Sequence, residues 1–178
     1  YDYLVVAVGT HQDWALIEGM DVNAIGQNGL ASVYPSSDAA VATWKAMDEF
    51  RQKGGKAVMT LPNTFLKCAG APLKMTFMLR DRLAQAGTMD KSQIDFYSAL
   101  PNIFSVKVVN DNVIERWGPL GVNLHTTQKL TAIDIGARQA TFVTPEGASS
   151  QVPYDFIHVV PPMRAPDAVK NSDLSAKE

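Results

Sequence analysis

The chain carries a single cysteine, Cys68, in the segment Leu61-Pro-Asn-Thr-Phe-Leu-Lys-Cys-Ala-Gly-Ala-Pro-Leu-Lys74. A lone thiol reads either as a small buried hydrophobe or as a nucleophilic, redox-active group. Two neighbours favour the second. Lys67 puts a cation next to the sulfur, and Ala69-Gly70-Ala71-Pro72 opens a helix whose N-terminal dipole favours a thiolate. With one cysteine there is no internal disulfide, so any partner thiol comes from outside these residues. No metal site is expected, because His11, His125 and His158 lack ligand spacing and read as surface or core histidines.

The segment lies between a predicted strand and a predicted helix, in an alternating order. Residues 3–8 form a continuous apolar run before Gly9, the pattern of a strand buried on both faces. Residues 11–35 read as irregular, punctuated by glycine and proline. Ser36-Ser37-Asp38 caps a helix that Gly54-Gly55 ends, with Val41, Trp44, Met47 and Phe50 as its core stripe. Residues 57–61 are the next strand, and Pro72 suits the first turn of a helix running to Ala86 and stopped by Gly87. Residues 93–97 read as a strand. Val106, Val109, Val113 and Trp117 line an amphipathic helix ending at Gly118. Strands follow at 122–125, 130–134, 139–144 and 156–160, with Pro145-Glu146-Gly147 as a hairpin turn.

This order predicts an α/β fold of the Rossmann-like FAD/NAD(P)-binding type: a parallel βαβ sheet with right-handed crossovers and an antiparallel β-hairpin layer. Ligands approach such sheets at the carboxyl ends of the strands. Gly9-Thr10, the loop Pro62-Asn63 to Cys68, and Pro161-Pro162 all follow predicted strand ends, so they are candidate contact segments on one rim. The rim lacks a dinucleotide grip. A pyrophosphate wants G-x-G-x-x-G after the strand, and from Leu61 to Pro72 only Gly70 is a glycine. The second strand ends in Tyr97-Ser98-Ala99-Leu100 without the acid that holds an adenosine ribose, which disfavours NAD or NADP.

Composition bounds the remaining classes. With 178 residues, 46% apolar and 19% charged, there is material for one good core. A net charge of −2 with scattered lysines and arginines leaves no nucleic-acid footprint. No run approaches the ~18 apolar residues of a membrane span, so the segment itself is expected to be soluble.

Lys67-Cys68-Ala69-Gly70-Ala71-Pro72 resembles the cysteine loop of the mitochondrial-type sulfide:quinone oxidoreductases, flavoproteins related to the disulfide reductases. Tyr3-Leu-Val-Val-Ala-Val-Gly9, Thr43-Trp-Lys-Ala46, Leu61-Pro-Asn-Thr64 and His158-Val-Val-Pro-Pro-Met163 resemble the same family in the same order. The resemblance implies that residues 1–35 are a strand and linker entering from a FAD domain, 36–163 a nucleotide-binding-like domain carrying the cysteine loop, and 164–178 an exit towards that FAD domain. The flavin-binding G-x-G-x-x-G is absent, so FAD is expected in the full-length protein and not retained by this segment.

In the family, sulfide attacks the sulfur bridge of two cysteines beside the flavin. One becomes a persulfide, and the other passes electrons to FAD and then to a quinone. By resemblance Cys68 is one of the pair, Lys67 holds anionic sulfur near it, and the second cysteine falls after residue 178. Gly9, Thr10, Pro62, Asn63, Pro161 and Pro162 are the implied cofactor contacts. Sulfide, a quinone and a sulfur acceptor are the implied partners. The parent is implied to lie peripherally on a respiratory membrane, mitochondrial or bacterial, through sequence beyond this segment. Two alternatives stay open: the NAD(P)H-binding domain of a pyridine-nucleotide-dependent flavoprotein reductase, and a non-catalytic redox-sensing domain.

Overall fold

The computed structural model describes residues 1–175; residues 176–178 of the expected exit lie outside the described residues. The strands are β1 (His11–Gln12), β2 (Leu30–Ala31), β3 (Gly55–Leu61), β4 (Ser92–Ser98), β5 (Val122–His125), β6 (Lys129–Asp134), β7 (Gln139–Val143), β8 (Ser149–Pro153), β9 (Phe156–His158) and β10 (Met163–Arg164). The helices are α1 (Ser37–Lys53), α2 (Ala71–Ala86), α3 (Lys107–Leu120) and α4 (Asp167–Lys170).

Local signals account for the helix ends. Ser36 Oγ accepts from Ala39 N at 3.1 Å to start α1, and Gly54 ends it at φ 76°. Pro72 sits in the first turn of α2, and Gly87 closes that helix in the left-handed region at φ 68°. The next connection depends on absent side chains. A Cβ on Gly55 would clash with the Asp155 carboxylate, whose Oδ2 accepts from Lys56 N at 2.8 Å, and a Cβ on Gly29 would clash with the Asp155 carbonyl.

β2-β9-β3-β4-β5 form a five-stranded parallel sheet in that spatial order. The chain runs β3-α2-β4-α3-β5 towards one edge, then returns through β6, β7 and β8 to place β9 on the other side of β3. The order therefore reverses between β3 and β9, and the crevice above their carboxyl ends is where such folds bind ligands. One face, with Ala57, Met59, Ile94, Phe96 and Phe156, packs under the helices with Met47, Phe50, Leu79, Leu83 and Trp117. The other face, with Val58, Tyr97, Ile157 and Val159, packs on Leu130, Ile133, Ala140 and Phe142 of the antiparallel layer.

The Rossmann-like α/β expectation holds, with differences of detail. Residues 3–8 form no strand: Tyr3 is 92% exposed and Val5 87%, because an extended apolar run is covered only by neighbouring strands and none of the described residues pairs with it. Residues 11–35 are not wholly irregular, since β1 pairs with β10 and β2 forms an edge of the main sheet. The hairpin layer has a third strand, β8, whose Ser-Ser-Gln-Val-Pro sequence buries only Val152 and so carries no apolar alternation.

The predicted helix stripes rotate. An i, i+3 row drifts about 60° backwards per step, so Val41 and Phe50 end on opposite sides of α1. Thr43, Ala46, Met47 and Phe50 are buried, while Val41 and Trp44 face outwards. The Arg82 guanidinium covers the exposed Trp44 ring at 5.0 Å. In α3 only Trp117 is buried, Val106 and Val109 are exposed, and the helix runs past Gly118 to Leu120.

Candidate functional site

Cys68 lies in the irregular loop joining β3 to α2, above the β3/β9 crevice. Both Cys68 and Lys67 are exposed. Cys68 has φ 57°, a left-handed conformation uncommon for a residue with a Cβ, and its carbonyl accepts from Ala71 N at 2.9 Å. That turn feeds directly into α2, so the loop meets the helix N-terminus three residues after the sulfur.

Beside the loop an open groove of about 660 Å³ is lined by Gly9, Thr10, Asn63, Thr64, Phe65, Leu100 and Met163 to Ala165. Four segments distant in sequence meet there: the stretch before β1, the cysteine loop, the turn after β4 and the exit from β9. Thr64 Oγ1 accepts from Met163 N at 2.9 Å, joining the second to the third. Thr60 secures the floor by donating to the His158 carbonyl at 3.1 Å and accepting from Val160 N at 3.0 Å. Across the rim, Arg164 Nε donates to Asp13 Oδ1 at 3.0 Å.

Gly9, Thr10 and Asn63 line this groove, though Gly9 follows no strand. Pro161 and Pro162 are buried; the Pro162 carbonyl accepts from Asp13 N at 2.8 Å, and Pro62 and Pro162 border a separate, very small cavity. Their neighbours Met163 and Arg164 face the groove instead. Sequence reading missed Thr64, Phe65, Leu100 and Arg164. Only Thr64 and Phe65, inside the singled-out loop, had a local signal.

Beneath the loop the polar groups change character. Tyr34 and His158 are buried with ring centroids 6.4 Å apart, and neither the Tyr34 hydroxyl nor either His158 ring nitrogen has a hydrogen-bond partner. Burial pushes the Tyr34 phenol well above the usual tyrosine range, and negative charge on Cys68 adds to the shift. Burial lowers His158 from 6.5 to about 4, so the imidazole is neutral at pH 7.

A second polar cluster lies on the opposite face of the sheet. The buried Asp95 carboxylate accepts from Gln93 Nε2 at 2.7 Å and Asn123 Nδ2 at 2.9 Å, with His125 Nε2 and Lys56 Nζ each at 3.3 Å. Burial opposes its ionisation, but hydrogen bonds from Asn123, Gln93 and His125, with the Lys56 charge, outweigh that and hold it below the ordinary aspartate range. Tyr97 stacks between His125 and Phe142 at 4.3 and 4.1 Å. Every polar atom of this carboxylate is engaged. Among the described residues no three histidine, cysteine or acidic side chains converge at metal-ligating distance.

An exposed thiol thus stands above the switch crevice, with a groove beside it and no glycine-rich phosphate turn in its loop. No family model matches the chain. Over 175 residues it is 37% identical to the mitochondrial sulfide:quinone oxidoreductase of Dictyostelium discoideum, covering 98% of this chain. The mouse mitochondrial enzyme of the same name is 33% identical over 177 residues. This chain is a sequence relative of the mitochondrial sulfide:quinone oxidoreductases.

It spans 38% of the length of each of these two relatives. The sulfide:quinone oxidoreductase of Aquifex aeolicus superposes with a TM-score of 0.74 over 95% of the chain and 38% of that structure, at 20% identity. NDH2 from Plasmodium falciparum in complex with NADH superposes with a TM-score of 0.65 over 98% of the chain and 38% of that structure, at 14% identity. At such identities the two superpositions establish the shared fold. The Cys68 loop and the motifs singled out in the sequence all fall within the stretch related to the mitochondrial enzymes.

Proposed function

We propose that this chain is the thiol-bearing, nucleotide-fold portion of a sulfide:quinone oxidoreductase, with Cys68 as one of two cysteines that oxidise sulfide. The observation that carries the reading is the exposed Cys68 at the β3/β9 switch crevice, within a stretch related to those enzymes over 98% of its length. In the longer protein, FAD supplies two-electron acceptance and relay to a quinone. The residues present fit contact with a flavin ring and not a seat for the whole cofactor. Gly9, Thr10 and Asn63 line an open groove beside the cysteine loop, whereas the β3-α2 loop lacks a glycine turn for a pyrophosphate.

Cys68 then carries sulfur as a persulfide or delivers electrons as a thiolate, and Lys67 attracts hydrosulfide by charge. The Thr64–Met163 and Thr60–Val160 bonds hold the rim in place while the sulfur reacts. The sulfur acceptor is a separate partner, and the second cysteine of the pair is not among residues 1–178.

The deciding experiment is sulfide-dependent quinone reduction by the full-length parent carrying Cys68→Ser. Activity within a few-fold of wild type would remove Cys68 from the reaction. The 178-residue chain alone is expected to purify colourless and to reduce no quinone with sulfide; a stoichiometric flavin spectrum would contradict this division of labour. NADH raising the melting temperature of the chain would favour the pyridine-nucleotide reading instead.

A further inference from the structure

The Tyr34 ring closes a small apolar cluster with Val160 and Met163, and Leu66 and Ala71 pack against that cluster. Those two residues bracket Cys68, so the cluster that holds the phenol forms part of the floor of the cysteine loop. Tyr34 is only 6% exposed, its hydroxyl reaches neither solvent nor a protein partner, and His158 behind it is fully buried with both nitrogens unengaged. Buried polar groups are ordinarily paired because leaving them unpaired is costly. Phenylalanine and leucine would fill this space without that cost. Trp117 Nε1, Thr144 Oγ1 and the Tyr154 hydroxyl are unpaired elsewhere in the chain; what distinguishes Tyr34 and His158 is that they lie side by side below the exposed thiol. Burial is the main reason the phenol resists ionisation, and a negative charge on the sulfur would add to that resistance.

We propose that Tyr34 is a positioning residue for Cys68, its hydroxyl donating a hydrogen bond to the sulfur whenever the sulfur is anionic, as thiolate or persulfide. The phenol oxygen can at the same time accept the single N–H of the neutral His158 imidazole. The chain His158 N–H to Tyr34 oxygen, Tyr34 O–H to sulfur would engage the Tyr34 hydroxyl and one of the two His158 nitrogens, and would hold the sulfur against the crevice. The left-handed φ of 57° at Cys68 is the backbone strain that such a bond would offset. The proposal rests on Cys68 being the reactive thiol of the proposed function, but it needs neither sulfide nor flavin.

The test is the pH–rate profile of Cys68 alkylation by iodoacetamide in the full chain, for wild type, Tyr34→Phe and Trp14→Phe. Trp14 packs on the same cluster and serves as the packing control. Loss of a hydrogen bond to an anion is expected to move the Tyr34→Phe profile to higher pH and slow alkylation at pH 7 about tenfold. Trp14→Phe should leave it in place. A Tyr34→Phe profile superimposable on wild type, in folded protein, overturns the proposal.

A reciprocal measurement uses Cys68→Ala and ¹³C-labelled tyrosine. Removing the sulfur charge is expected to let Tyr34 ionise at lower pH, and an unchanged Tyr34 titration overturns the pairing. If these shifts appear while full-length Cys68→Ser still oxidises sulfide, the pairing stands and the sulfide reading fails. If the shifts are absent and Cys68→Ser is inactive, the pairing fails and the sulfide reading stands.

Discussion

Two buried polar clusters occupy opposite faces of one parallel sheet, and they are finished differently. At Asp95 each carboxylate oxygen is engaged, and the partners come from β3, β4 and β5, so the cluster ties three strands together. At Tyr34 and His158 the side chains are as deeply buried, yet three polar atoms have no partner. A satisfied network rigidifies a sheet, whereas an unsatisfied one stores cost until a partner arrives. The difference separates a structural site from the place where the Tyr34–Cys68 pairing is proposed. It also falls on the side of the molecule where Cys68 is presented.

The sharpest way to break this contrast is at the thiol. Cys68→Ser in the full-length parent should keep the fold, since the volume change is small, while sulfide-dependent quinone reduction falls by several orders of magnitude. Stopped-flow absorbance of the flavin and a thermal melt read the two halves separately.

Acid should expose the second difference. Because His158 titrates near 4 in the folded chain against 6.5 unfolded, the unfolded state takes up the proton first as pH falls. Its neutral burial therefore leaves stability intact above pH 6.5 and draws it down by about 3 kcal/mol in total as pH falls to 4. Urea unfolding at pH 7 and pH 4.5 should show this slope in wild type and its loss in His158→Gln. Asp95 works the other way round: its depressed carboxyl keeps its contribution above the ordinary aspartate value and yields it only at more acid pH, so it adds nothing to the slope near pH 5.

Removing the satisfied partner comes next. Asp95→Ala should cost about 2 kcal/mol by urea unfolding, below the cost of stranding a fully buried ion, because Lys56 and His125 retain access to water. Asp95→Asn, which keeps an acceptor, should cost less. Smallest of all is Tyr34→Phe. Deleting an unpaired buried hydroxyl should leave stability unchanged or raise it by up to about 1 kcal/mol. A loss above that would show the hydroxyl to be already bonded in the folded chain, and would erase the contrast with Asp95.

Much of the framework was legible along the chain. Ser36, Gly54, Pro72 and Gly87 mark helix ends through backbone geometry and capping, which are properties of a few adjacent residues. The strand at 57–61 announced itself as a largely apolar run, and those at 93–97 and 122–125 as short β-prone segments that follow helix-ending glycines. The cysteine loop was legible for the same reason: Lys67, Cys68 and the opening of α2 are neighbours in sequence. The apolar run at 3–8 misled because burial depends on a neighbour that a run of residues does not specify. β8 was missed because a largely solvated strand carries little hydrophobic signal.

What local pattern could reach was the α/β order, the loop that bears the thiol, and the absence of a glycine turn for a dinucleotide. It could not reach the groove, because Thr10, Thr64 and Arg164 come from three separate segments and meet only when β10 pairs with β1 above the sheet. Nor could it reveal that Asp95 is engaged while Tyr34 and His158 are not. Hydrogen-bond satisfaction is a property of atoms in space: Asp95 finds Asn123 and His125 through the register of β4 on β5, and Tyr34 comes to lie near His158 because β9 returns beside β2. Sequence periodicity reports which way a side chain points, and long-range strand pairing decides what it meets there.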